Sequence, residues 1–425
     1  MNYTAWFEPH RPFQPKRFPV FYGWVVLAAG TLGVVLSLPG QTVGVGPFTD
    51  ALMKSLKVSR IELSNAYFWG TLTCGLLLPT VGRYFDRYGA RIVGFLAMFF
   101  LGIHLLLMGN LDLLRRWLEP DPAHSTWITW ALIATGFFLL RFLAQGSLTL
   151  VSRSMITKWF QRHRGKASAV SGMMLTISFS ASPQIVLAWV NQYGWDQVWM
   201  TMGAIYMSAG AFLVWLLYRD RPEECELLMD GDSKEVAPAS DSSQVTPSAS
   251  PEFTNQAEND KTTSYTAKEA MRTFSFWIFA FGFAMHALIV TAWTFHALDI
   301  CESLGVEANT LYKLFLPAAI VNIATGFGAG WLCDRFPLKI TLVLFAATQF
   351  GAASTLFIIE ETYAVVLFVL CYGISMASWG TLMNVTAPNF FGREHMGAIN
   401  GKFMAATVFA SAFGPSLYGY SQAWT

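Results

Sequence analysis

Gly82-Arg83-Tyr84-Phe85-Asp86-Arg87-Tyr88-Gly89-Ala90-Arg91 returns, altered, as Gly330-Trp331-Leu332-Cys333-Asp334-Arg335-Phe336-Pro337-Leu338-Lys339. The first glycine, the Asp-Arg pair, the aromatic after it and the closing basic residue recur at an offset of 248. A lone Asp-Arg dipeptide would carry little weight. Two spaced copies, each closing an apolar stretch, mark a duplicated unit. A second pair repeats at an offset of 231, with a small indel: Trp159-Phe160…Arg162…Arg164-Gly165…Ala167 and Phe390-Phe391…Arg393…Gly397-Ala398. Repeated halves of this kind imply a membrane carrier whose site lies between them, near the bilayer midplane.

Composition agrees. The 425 residues are 54% hydrophobic and 13% charged, against about 25% charged in soluble domains. The 35 Phe and 16 Trp fit aromatic belts at two membrane surfaces. A spanning helix needs about 20 mostly apolar residues. The sequence predicts eleven such spans: roughly 21–45, 63–83, 91–110, 127–152, 166–190, 198–218, 274–298, 311–332, 338–358, 363–386 and 397–420. With the N-terminus in the cytoplasm, 21 of the 28 Lys and Arg fall on the cytoplasmic side and six on the other, a positive-inside excess. No signal peptide is visible at the N-terminus. The five cysteines are scattered and form neither a disulfide framework nor a zinc pattern.

Residues 1–218 are expected to form a six-helix half and 273–425 a second half with five visible spans; a twelfth would begin near Thr425. Between them, 219–272 reads as a largely disordered cytoplasmic linker. Its stretch from Gly231 to Thr266 is rich in Ser, Thr, Pro, Asp and Glu and cannot bury a core. The predicted fold is all-α and polytopic, with two pseudo-symmetric halves.

The chain resembles the major facilitator superfamily over nearly its whole length outside that linker. The loop Gly82–Arg91 resembles the family's loop between spans two and three, and Arg141 with Gln145-Gly146 resembles its fourth-span Arg-Gln-Gly. More narrowly, Phe21-Tyr22-Gly23-Trp24 and Trp159-Phe160…Arg164-Gly165-Lys166-Ala167 are similar to the monocarboxylate-transporter and oxalate/formate-exchanger branch. The resemblance implies that Gly82, Asp86, Arg87 and Arg91, with Gly330, Asp334 and Arg335, form a conformational latch, Asp86 facing the start of span eleven near Met396–Ala398. Pro337 replaces the usual glycine of the second copy. The exchanger branch carries a basic residue in span eight, where this chain has Thr325 and Gly326. Its span-eleven lysine falls near Thr407, while Lys402 lies closer to the cytoplasm. Dicarboxylate exchange is therefore not expected.

Arg141 lies inside the apolar stretch Trp127–Leu150. An arginine near the bilayer centre is expensive and by default marks a substrate or ion pathway. Gln145, four residues on, shares its helix face. A guanidinium there can hold a carboxylate in a two-pronged contact; the bland alternative is that Arg141 only ties neighbouring spans together. Arg141 has no charged counterpart in the second half, where the offset of 231 places Tyr372. Asn322 joins Arg141, Gln145 and Tyr372 in the predicted substrate set. His286, mid-span, is the candidate for proton handling. His296 and Asp299 read as a wetted pair at the outer mouth. Leu38-Pro39-Gly40 interrupts span one and Ser182-Pro183 span five.

These readings predict alternating-access transport of a small organic anion, a monocarboxylate, with proton symport, by a monomer in an inner membrane. Export of a neutral or amphiphilic compound, and a non-transporting membrane sensor, are the alternatives. No nucleotide-binding loop, metal-ligand spacing or nucleophile–base pairing points to an enzyme, a cofactor or a metal. Membrane lipid is an expected partner and nucleic acid is not.

Overall fold

The computed structural model describes residues 7–118, 127–160, 164–231, 265–359, 361–391 and 396–424. Among them the secondary structure is entirely helical. The first half holds α1 (Gly23–Val35), α2 (Thr42–Val45), α3 (Thr49–Leu56), α4 (Arg60–Gly109), α5 (Leu111–Leu118), α6 (Trp127–Leu140), α7 (Thr149–Trp159), α8 (Arg164–Tyr193), α9 (Trp195–Ile205) and α10 (Ala211–Leu217). The second holds α11 (Ala267–Ala270), α12 (Phe274–Phe295), α13 (Ala297–Ser303), α14 (Thr310–Arg335), α15 (Leu338–Leu356), α16 (Thr362–Phe391) and α17 (Met396–Trp424). Eight described segments are long and apolar enough to cross a membrane: Arg87–Gly109, Trp127–Ile156, Val170–Tyr193, Trp195–Leu217, Phe274–Phe295, Thr310–Cys333, Leu338–Leu356 and Thr362–Met383. The other three expected spans are helical but shorter, less apolar or broken. Large apolar side chains such as Phe281, Phe350 and Phe357 face outward, as helices in lipid require.

Several boundaries differ from the sequence expectation for physical reasons. The expected first span is broken: α1 ends at Val35, a 3-10 turn covers Leu38–Gly40, and α2 restarts at Thr42. Span five is not broken. Pro183 sits inside α8, where it removes a backbone donor. The hydroxyl of Ser182 donates to the Phe179 carbonyl at 3.1 Å and takes up the acceptor that Pro183 leaves open. Spans two and three run together as α4, interrupted only at Gly89, whose φ of 78° falls in a region that side-chain-bearing residues avoid.

The folded part also reaches into the expected linker. Arg219 and Cys225 are buried with the first half, and α11 starts with a capping box between Thr266 and Glu269. The remainder of the expected linker, 232–264, lies outside the described residues. One apolar core joins α1, α4, α6, α7, α9 and α10, with Phe48 stacked on Trp199 at 4.5 Å. Two smaller cores serve the second half, and Leu187 of α8 enters one of them.

The polar links between the halves named here sit at the end opposite the N-terminal tail. Arg60 pairs with Asp299. Ser64 meets the His296 imidazole at 3.4 Å and accepts from Ser416 through its carbonyl at 3.2 Å. Asn65 donates to Tyr420 at 3.0 Å. Tyr67 packs on Phe295 and Phe68 on Phe413, with ring centroids 4.6 and 4.8 Å apart. His296 and Asp299 are therefore not a wetted pair. Both are buried, and each is bonded across the halves instead of to the other.

Candidate functional site

A cavity of about 680 Å³ lies between the halves. Its first-half wall comes from α7 and α8, through Arg153, Thr176, Phe179 and Ser180; its second-half wall comes from α14 and α16, through Asn322, Tyr372 and Trp379. These residues run from the middle of their helices toward the tail end, away from the cross-links. Arg153 is the only charged residue lining the cavity among the described residues. It is exposed and has no hydrogen-bond or ion-pair partner there. Asn322 and Tyr372, two members of the predicted substrate set, line this cavity.

Arg141 and Gln145 stand behind the wall. They open a π-helical segment, Arg141–Leu148, a distortion found frequently at functional sites. Arg141 is 1% exposed. Its guanidinium donates to the Thr71 hydroxyl at 3.0 Å, to the Gly40 carbonyl at 3.3 Å and, in a short contact, to the Gln145 amide oxygen. It also lies 4.7 Å over the Tyr67 ring, whose hydroxyl is 2.7 Å from that of Thr42. Gln145 is where helical spacing placed it, beside Arg141. The broken first span supplies the carbonyl that the buried cation needs.

His286 is buried in the second half. Its Nδ1 lies 2.7 Å from the Gln349 amide oxygen, which also accepts from Ser375 at 2.7 Å. A carbonyl oxygen only accepts, so Nδ1 carries the proton. The ring stacks on Trp379 with centroids 5.1 Å apart, one side chain away from the cavity.

The latch residues are described in part. The side chains of Asp86 and Asp334 lie outside the described residues, as does the expected contact near Met396–Ala398. Gly82 faces open space and Gly330 lies within α14. Arg87 and Arg335 are exposed and lie over Tyr88 and Trp331, at 5.3 and 5.8 Å. Arg91 stays within the first half. It donates to the carbonyls of Trp215, Glu8 and Arg11 at 2.6 to 2.7 Å and so ties down the N-terminal tail. The aromatic motifs come together: Phe21 and Tyr22 pack on Trp159 at 6.0 and 5.7 Å, and Trp24 on Phe160 at 5.3 Å.

In the sequence Arg153 is only a charge just beyond the expected span 127–152. One signal was present: from Arg141 to Trp159 no Pro interrupts the chain, so the helix carries Arg153 about 18 Å beyond Arg141 on the same rod.

The fold has counterparts among known proteins. The Major Facilitator Superfamily family model matches residues 16–415. The chain belongs to the Major Facilitator Superfamily. The membrane sensor protein UhpC of Escherichia coli (strain K12) is 24% identical over 361 residues, 81% of this chain and 73% of the relative. Solved structures share the fold. A bacterial homolog of the human lysosomal transporter Spinster, described as inward-facing and unoccupied, gives a TM-score of 0.63 at 17% identity, covering 95% of this chain and 83% of the other. A D-xylose-proton symporter gives 0.62 at 13% identity, covering 95% and 91%.

Proposed function

We propose that this superfamily member carries a small organic anion, a monocarboxylate, across the membrane by alternating access with proton symport. The observation that carries the reading is the cavity between the halves whose lone charged lining group among the described residues, Arg153, is an unpaired cation. The excess of Lys and Arg in the loops at the tail end supports a cytoplasmic location for that end, and the reading sets the protein in an inner membrane. On that orientation the cross-linked end, with Arg60–Asp299 and Asn65–Tyr420, faces outside. Residues 1–218 and 273–425 are the two moving halves, 219–272 their connection, and the monomer is the working unit. The aromatic motifs Phe21–Trp24 and Trp159-Phe160, packed on one another, support the monocarboxylate branch. Arg141 and Gln145 support the cavity wall in this conformation and reach the substrate pathway when the halves rearrange. Asn322 and Tyr372 orient the anion. His286, stacked beside Trp379, handles the proton. Asp86 and Asp334, with their neighbouring arginines, latch the opposite state.

The test is uptake of labelled lactate, pyruvate and acetate into proteoliposomes, with and without an inward proton gradient, for wild type, Arg141→Ala and His286→Gln. Gradient-driven uptake that fails in Arg141→Ala, and loses its gradient dependence in His286→Gln, supports the reading.

A second reading is a membrane sensor, favoured by the 24% identity to a protein named as one. It predicts ligand binding without flux, and activity that depends on partners of residues 219–272.

A further inference from the structure

We infer that the cavity selects monoanions with an apolar body, the anionic group held by Arg153 and the body lying against the cavity's apolar wall. This rests on the reading of the cavity as the substrate site and narrows the substrate class.

Three features point to it. Arg153 is exposed in the cavity and has no protein partner, whereas the Arg141 fork is already taken by Thr71, Gly40 and Gln145. A guanidinium with free donors binds a carboxylate with charge-assisted hydrogen bonds. Away from Arg153 the wall is neutral and mostly apolar. Tyr372 forms a braced aromatic floor, stacked on Phe368 at 5.5 Å and packed against Phe315 at 5.8 Å and Trp293 at 6.0 Å. Met376, Met383 and Met404 add unbranched side chains, which adapt to differently shaped apolar groups. Finally, about 680 Å³ is within the range of about 300–1,000 Å³ that encloses drug-sized ligands. An anion of three carbons leaves most of that wall wet. A larger apolar body displaces the water, and each square ångström covered contributes about 25 cal/mol.

The experiment is calorimetric titration of the full chain in lipid nanodiscs with phenylacetate, its uncharged analogue phenylacetamide, and lactate. Wild type is expected to bind phenylacetate about tenfold or more tightly than phenylacetamide, the worth of a hydrogen bond to a charged group, and more tightly than lactate. Arg153→Gln abolishes the preference for phenylacetate over phenylacetamide, and Arg153→Lys restores part of it. Arg153 is exposed, so neither variant opens the core. Lactate binding as tightly as phenylacetate overturns the proposal, as does a preference that survives Arg153→Gln. Flux is a separate readout. Selective phenylacetate binding without flux leaves this inference standing for a sensor. Flux of lactate with phenylacetate inert overturns it while transport stands.

Discussion

Asp220 accepts a hydrogen bond from the backbone N–H of Ala90 at 3.0 Å. Ala90 is the first helical residue after the Gly89 break in α4, so a carboxylate from just beyond α10 caps the restarted helix. The same carboxylate takes the Lys158 ammonium at 3.0 and 3.2 Å. One side chain thus ties together α4, α7 and the exit of α10. A helix N-terminus favours negative charge, and a lost cap costs about 0.5–2 kcal/mol. Asp220→Ala is expected to destabilise the first half by ~1–3 kcal/mol, with the Lys158 contact included. Thermal unfolding in detergent reads this as a fall in Tm of several degrees. Asp220→Asn keeps an acceptor and recovers part of it. An unchanged Tm in Asp220→Ala would remove the capping role.

Gly46 tests the closed end. A Cβ there would press on the Thr294 carbonyl and come within 2.6 Å of the Tyr312 hydroxyl, both in the other half. Backbone cannot yield to such a contact, so Gly46→Ala must wedge the halves apart. Spin labels at Lys57 and Ala308, on either side of this end, are expected to show a longer distance in Gly46→Ala than in wild type. Identical distances would mean that the halves do not separate here.

The pH response of that end follows from Asp299. Burial raises its carboxyl from the ordinary value to about 6, with Arg60 opposing the shift and Asp50 and Glu302 adding to it. Once the end opens and water reaches the group, its pKa returns to the usual carboxylate range. The closed form then binds the proton more tightly, so closure is favoured as pH falls from about 6 toward 4. His296, just past the end of α12 and bonded to the Pro415 carbonyl at 3.0 Å, works the other way, because a charged imidazole is disfavoured in the closed, buried site. The Asp299 effect is therefore read in His296→Gln, with the same spin labels at pH 7 and pH 4.5. Acid should shorten the mean distance, and adding Asp299→Asn should weaken that response, leaving what Asp50, also raised by burial, contributes. A lengthening in acid would reverse the sign assigned here.

Arg141→Lys separates charge from shape. An ammonium keeps the charge but cannot reach Thr71, Gly40 and Gln145 with the planar fork of a guanidinium. A loss of about 1–3 kcal/mol in stability is expected from the acceptors left unpaired, with uptake lost as well. Full stability and full uptake in Arg141→Lys would show that only the charge matters.

Much of this was legible in the sequence. The 248-residue repeat and the apolar periods named the fold, and the fourth-span arginine stood out because a cation in lipid demands explanation. Gln145 beside Arg141 followed from helix spacing; Asn322 stood out only as a polar side chain inside a span, and Tyr372 only as the counterpart of Arg141 in the repeat. Arg153 did not, because hydropathy ends a span where the helix itself goes on. The roles of His296 and Asp299 did not either, since what buries them comes from Arg60, Ser64 and Pro415, far away in the chain.

The sequence by itself determined the two-fold helical plan, because duplicated motifs and long apolar stretches leave a chain in lipid few ways to satisfy its backbone. Only the tertiary structure decided which cation meets the cavity. Arg141 and Arg153 sit on one helical rod. Packing within the first half surrounds Arg141 with the Thr71 hydroxyl, the Gly40 carbonyl and Gln145, and Arg153 is left open to the space between the halves.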